Sequence, residues 1–220
     1  MAMAVKKSRD PASFTVRGQR TRSALLVAAR TVFERDGFVN TRITDIAETA
    51  GVAHGSFYSY FASKEEIFRA VVAELQAELT RTRTERSQEE STVWSSVLDA
   101  NRRYLNTWQS HTDLMRLWED VAILDDEIKS TFDETRQAFV ERAEVAMTRM
   151  QKAGLVEPDV DVRVASFALT AMVSRFAYVW FTRQYPHDFE HAAEQLTRLW
   201  LNALGVPPDK WHQPAKGDIE

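Results

Sequence analysis

The chain has 220 residues, 44% of them hydrophobic, no cysteine and a formal net charge of −4. That length suffices for one large domain or two small ones. The missing thiols exclude disulfides, zinc fingers, iron–sulfur clusters and a cysteine nucleophile.

Only seven glycines and six prolines interrupt the chain, and the wealth of Ala, Leu, Glu, Arg and Gln favours helix. The charge is uneven. Residues 1–62 hold nine Lys and Arg against five Asp and Glu, a surplus of four positive charges, so the remainder stands at −8. A basic N-terminal part on an acidic body predicts contact with a polyanion. The first 14 residues have no apolar run of the signal-peptide kind. Arg175 and Arg183 interrupt the longest apolar stretch. The expectation is a cytoplasmic protein that does not enter a membrane.

In chain order, Met1 to Val16 is polar and aperiodic and reads as a flexible arm bearing Lys6, Lys7 and Arg9. Leu25, Leu26, Ala29, Val32 and Phe33 recur at helical spacing and predict a helix over 21–36, closed by Gly37 and followed by a linker over 38–42. "ITDIAETAG" predicts a second, short helix stopped by Gly51. "VAHGSFYSYF" predicts a third after a turn of about four residues. "SKEE" carries a capping-box pattern, Ser63 with Glu66, that opens a long helix from Lys64 to about Arg86. Further helices are predicted over 92–109, 113–124, 125–153, 161–184 and 189–204, punctuated by Gly154, Pro158 and Pro186. No strand pattern appears, so the fold class is all-α. The tail from Val206 reads as disordered, with Trp211 as its one group able to dock.

The segment from Ala47 to Phe61 has the logic of a helix-turn-helix. Ala47 is small where two helices cross, and Gly51 stands where the turn needs positive φ. Phe57 and Phe61 are four apart and share the inward face. His54, Gly55, Ser56 and Ser59 lie on the face that approaches bases, small or polar as a major-groove reader requires. Tyr58 and Tyr60 can lay their rings on sugars and bond phosphate with their hydroxyls. Thr41, Arg42, Thr44 and Lys64 complete the expected phosphate contacts.

At these residues, "NTRITDIAETAGVAHGSFYSYFASKEEIF" resembles the N-terminal module of TetR-family transcriptional regulators, and "TVFERDGF" matches the end of that family's first helix. The likeness covers about residues 20–70. It departs from the family pattern at Thr41–Arg42, where a Thr pair is common, and at His54 and Tyr60. The resemblance implies a homodimer on a double-stranded, roughly palindromic DNA operator. It implies a repressor released by a small-molecule effector that binds the C-terminal part. The division expected is an arm (1–16), a DNA-binding domain (17–63), a helical ligand-binding and dimerisation domain (64–205) and a tail (206–220).

"VRVASFALTAMVSRFAYVWF" is apolar nearly all round and predicts burial on every face. With "AAEQLTRLWLNALG" it would supply two helices per subunit to a four-helix dimer bundle. Large or soft side chains are the effector candidates: Trp108, Met115, Trp118, Phe139, Met147, Met172, Phe176 and Trp180. Asn101, Glu119, Arg142 and Arg175 are candidates for a polar end. Arg175 reads as a buried cation in need of a partner. Such a set fits an apolar or aromatic ligand, with an acyl acid and a cationic drug both open. No pattern calls for a cofactor. "HDFEH" matches the H-x-x-E-H of inverted zinc peptidases and leaves a metal-binding alternative through His187, Glu190 and His191.

Overall fold

The computed structural model describes residues 14–80 and 92–212, and these are helical throughout, joined by turns. The helices are α1 (Val16–Asn40), α2 (Ile43–Thr49), α3 (His54–Phe57), α4 (Lys64–Thr80), α5 (Val93–Ser110), α6 (Thr112–Val121), α7 (Asp126–Lys152), α8 (Val162–Arg183) and α9 (Phe189–Ala203), with a 3₁₀ turn at Pro208–Lys210. The arm up to residue 13, the break predicted near residue 88 and the tail beyond His212 lie outside the described residues.

Helix α1 starts five residues before the predicted Thr21. The Thr15 hydroxyl accepts from the Gly18 amide at 3.2 Å, and a capped first turn needs no apolar periodicity. At its far end Gly37 leaves helical geometry at φ 74°, and Phe38 to Asn40 add one more turn where a linker was expected. Leu25, Ala29, Val32 and Phe33 are sealed inside. Helix α2 buries Ile46 and Ala47. It ends at Gly51, φ 67°, where the Val52 amide reaches back to the Ala47 carbonyl at 3.0 Å.

Side-chain oxygens cap the later helices. Ser63 accepts from the Glu66 amide at 3.2 Å, but the Glu66 carboxylate reaches one residue further back than a capping box requires, to the Ala62 amide at 2.6 Å. Asp125 takes the Glu127 and Ile128 amides, Asp161 those of Arg163 and Val164, and Asp188 that of His191.

The packing forms two units. Among the described residues, one holds those up to Glu78 together with Asp113–Phe132; the other holds those of Leu79–Thr112 and those from Asp133 on. Helix α4 stays with the first unit up to Glu78. Helix α4 commits Ile67, Phe68, Val71 and Val72 to the first core. There Phe68 meets Phe33 and Phe38 at ring distances of 5.0 and 5.1 Å. Arg69 pairs with Glu127 at 3.0 Å and with Asp125 at 3.8 Å. Helix α6 adds Leu114, Met115, Trp118 and Val121 to the same unit.

In the second unit α5 packs chiefly on α9 and also on α8. A buried hydrogen bond from Asn101 to Thr197 (3.0 Å) pins α5 to α9. The chain after α9 does not leave the core as expected. Val206 and Trp211 are buried, and the Trp211 indole donates to the Val206 carbonyl at 2.8 Å. The Trp211 ring stacks on Trp94 at 5.3 Å under the Arg198 guanidinium. Residues 206–212 are thus a docked extension.

Helix α8 is long and apolar enough to span a membrane by length and composition, despite Arg175 and Arg183. Nor is it buried all round in this chain. Ser166, Leu169, Val173, Ala177 and Trp180 face its own unit, while Val164 and Phe167 stay 65% and 61% exposed.

Candidate functional site

The α2–turn–α3 segment sorts its side chains as a groove reader needs. Phe57 and Phe61 are sealed in the first unit's core. Because α3 proper is four residues long, its outward face is carried on by tight turns. The Ser59 amide bonds the Ser56 carbonyl at 3.1 Å, and the Tyr60 amide bonds the Phe57 carbonyl at 2.9 Å. His54, Gly55 and Ser59 are exposed, and Ser56 is half-buried. Nothing lies within 4 Å of where a Gly55 Cβ would stand. Tyr58 is 46% exposed, and its ring meets the His54 imidazole edge-on at 5.4 Å. Tyr60 is half-buried, its ring 5.0 Å from that of Phe14. On the approach to α2, Arg42 stands at the cap position with its side chain exposed and bonding no helix amide, and Thr44 is exposed as well.

Two expected phosphate contacts are engaged elsewhere. Thr41 is buried, and its hydroxyl donates to the Gly37 carbonyl at 2.7 Å, so it closes α1 instead of capping α2. The Lys64 ammonium donates to the carbonyls of Phe38 (2.7 Å) and Val39 (3.1 Å) and sits 4.7 Å from the Phe38 ring centre. It satisfies the open carbonyl end of α1, where a cation is favoured by the helix dipole. Sequence reasoning also passed over Arg17 and Arg20, exposed on the first turns of α1. Their only signal was charge.

The candidate effector residues fall in both units. Met115 and Trp118 belong to the first unit, where Trp118 packs edge-on against Phe132 at 5.4 Å. Glu119 falls in the first unit as well, and the remaining candidates fall in the second. Trp108 is buried against Tyr178 (6.0 Å), and Phe139 sits edge-on to Tyr104 (5.4 Å). Phe176 contacts Trp180 at 5.5 Å, and Trp180 donates its indole N–H to the Tyr185 carbonyl at 2.9 Å. Met172 is half-buried, and Met147 is core.

The Arg142 guanidinium lies 4.7 Å from the Phe139 ring centre and donates to the Ala138 carbonyl at 3.0 Å. Burial, then repulsion from Arg103, hold its pKa below the ordinary arginine value. Arg175 is not the buried cation anticipated. It is exposed and lies over the Tyr178 ring at 4.7 Å. Spacing alone could not show that the helix leaves one apolar face uncovered.

The metal alternative is not supported. His187 is exposed in the α8–α9 loop among the rings of Phe176, Trp180 and Tyr185. Glu190 accepts from Arg102 at 2.8 Å. Among the described residues no group of three or more His, Cys, Asp or Glu is placed to hold a metal ion.

Comparison with known proteins agrees with this geometry. Residues 25–71 match "Bacterial regulatory proteins, tetR family", and residues 99–204 match "Tetracyclin repressor-like, C-terminal domain". The chain is 40% identical over 73 residues to the uncharacterised HTH-type transcriptional regulator YfiR of Bacillus subtilis, a match covering 33% of this chain and 35% of that protein. Over 188 residues it is 20% identical to the B. subtilis fatty acid metabolism regulator protein, covering 82% of this chain and 93% of the relative. In fold it is similar to NalD of Pseudomonas aeruginosa, with TM-score 0.67 and 23% identity over 88% of this chain and all of that one. With the reading helices inside one matched region and most of α5 and all of α6 to α9 inside the other, the chain belongs to the TetR family of bacterial transcriptional regulators, DNA-binding proteins and not enzymes.

Proposed function

We propose that the protein is a cytoplasmic repressor that binds a palindromic operator as a homodimer and is released by a small apolar or aromatic effector. The observation that carries this is the two-sided α2–α3 segment: a sealed Phe57/Phe61 face backing an outward face of His54, Gly55, Ser56 and Ser59. These four residues read bases. Arg42, Thr44, Tyr58 and Tyr60 hold the backbone that sets the register.

The uncovered apolar side of α8 supports dimerisation. Val164 and Phe167, with Leu199 of α9 at 52% exposure, are too apolar to stay in water. Two such reading heads must match half-sites about one helical turn apart, so a small change in their separation costs much affinity. Ring-lined packing around Trp108, Phe139, Phe176 and Trp180 supports an apolar effector in the second unit. Relatives support more than one effector class: one is named as a regulator of fatty acid metabolism, and NalD is described as a repressor of a multidrug efflux pump.

The test is selection of duplexes from a random DNA pool by the purified protein at near-physiological salt. A recovered palindrome supports the reading. Enrichment of no sequence, with and without added acyl and aromatic compounds, refutes it.

A further inference from the structure

We infer that Tyr58 is a positioning residue for His54: its ring fixes the imidazole on the reading face, and the held imidazole selects guanine at one base pair of each half-site. The inference rests on the operator reading above and says how one of its base contacts becomes specific.

The two side chains are four positions apart and so fall on one side of the α3 turn. Both are exposed, yet they are not independent. Tyr58 meets His54 with ring centres 5.4 Å apart and planes at 85°, the edge-to-face geometry that aromatic rings prefer. Tyr58 is braced in turn. Its ring lies 5.5 Å from that of Phe57 at 80°, and Phe57 is sealed in the core. The backbone beneath is tied by bonds from the Ser56 amide to the Ala53 carbonyl (2.8 Å) and from the Phe61 amide to the Phe57 carbonyl (3.0 Å). A line of three rings thus runs from the core to the surface and ends at the imidazole.

An unheld imidazole is an ambiguous reader. When neutral it carries one donor and one acceptor, and it can turn either toward a base. A freely rotating side chain also loses that freedom on binding. Against Tyr58 the ring plane is set beforehand. Guanine suits a donor in that plane, because its N7 and O6 both accept on the major-groove edge. Adenine sets an amino donor beside N7, and cytosine shows an amino donor alone. The Tyr58 ring does this whatever its hydroxyl bonds, so the backbone contact assigned above is a separate role of the same side chain.

The test is duplex selection with the full wild-type chain and with H54A, Y58A and Y58F. The recovered operator and its single-base variants are then titrated by fluorescence anisotropy. Wild type is expected to prefer guanine at one half-site position by about tenfold, within the range of a good base contact. H54A and Y58A should both drop that preference below about twofold at the same position, and Y58F should keep it. The double variant H54A/Y58A should discriminate no less than either alone. A lost phosphate contact would instead weaken all sequences alike. A second measurement does not depend on Y58A folding. The His54 ring protons of the free wild-type chain, assigned by NMR through their loss in H54A, should be displaced from the free-histidine position by the Tyr58 ring. Y58A that keeps the guanine preference, or His54 protons at the free position, would overturn the positioning role. H54A that changes no position, or relaxes one without guanine, would overturn the base assignment. Failure of the operator reading itself would show earlier, as wild-type protein that selects no sequence, and would overturn both.

Discussion

Gly51 and Gly55, four positions apart, make a sharp test when each is changed to alanine. Neither has an atom within 4 Å of a built Cβ, so steric crowding is absent from both. They differ in backbone. Gly51 stands at φ 67°, whereas Gly55 lies inside α3 without positive φ. Gly51→Ala must hold an alanine in the left-handed region, at about 1–2 kcal/mol. On a protein of this size that is a fall of about 2–8 °C in midpoint. Gly51 lies in the turn between α2 and α3, outside the residues assigned to bases, so the folded protein should keep its operator affinity. Gly55→Ala removes a flexible residue from a helix and should be neutral or stabilising by about 0.5 kcal/mol. Yet its methyl projects from the exposed face meant for bases, and operator affinity should fall at least tenfold, about 1.4 kcal/mol. Urea unfolding and operator titration of both variants give four numbers with a crossed pattern. Gly55→Ala that binds the operator like wild type would refute the assignment of this face to DNA. Gly51→Ala of wild-type stability would refute the strained turn.

Other consequences are as direct. Lys64→Met should lower stability by about 1 kcal/mol through the loss of charged bonds to Phe38 and Val39 and leave the salt slope of operator binding unchanged. A slope lower by one unit per protomer would return Lys64 to the phosphates. Phe167→Asp places a charge on the open face of α8, and sedimentation at micromolar concentration should show a monomer with little operator affinity. Unchanged dimer would move the interface elsewhere. Trp211→Ala should cost about 3 kcal/mol in urea unfolding, as for other buried tryptophans, whereas a loss under 0.5 kcal/mol would mean that the extension after α9 adds nothing.

Much of this was legible from local signals. Periodicity located the helices to within a few residues because each must bury one face. Gly51 and Ser63 announced an end and a cap because those jobs select residue types within a few positions. What stayed hidden depended on partners far along the chain. Lys64 bonds carbonyls 25 and 26 residues away. Trp211 docks on Trp94 across more than a hundred positions. Asn101, proposed for a ligand, is taken by Thr197. Arg175 was misjudged for a different reason. A helix apolar on all sides looks the same in sequence whether its second face is covered by its own chain or left open. The allegiance of α6 to the first unit was equally invisible, since its amphipathic pattern says that it packs and not on what.

The distribution of indoles has an optical consequence. Of the six tryptophans, Trp118 alone falls in the unit with the reading helices, and the other five fall in the second unit. Trp118 is buried, with no protein acceptor for its N–H, against Phe132. A chain keeping only Trp118 would glow from the DNA-reading unit alone, while Trp118→Phe would silence that unit and leave the other lit. Emission colour and quenching would then tell an effector event in one unit from its echo in the other, with no dye attached.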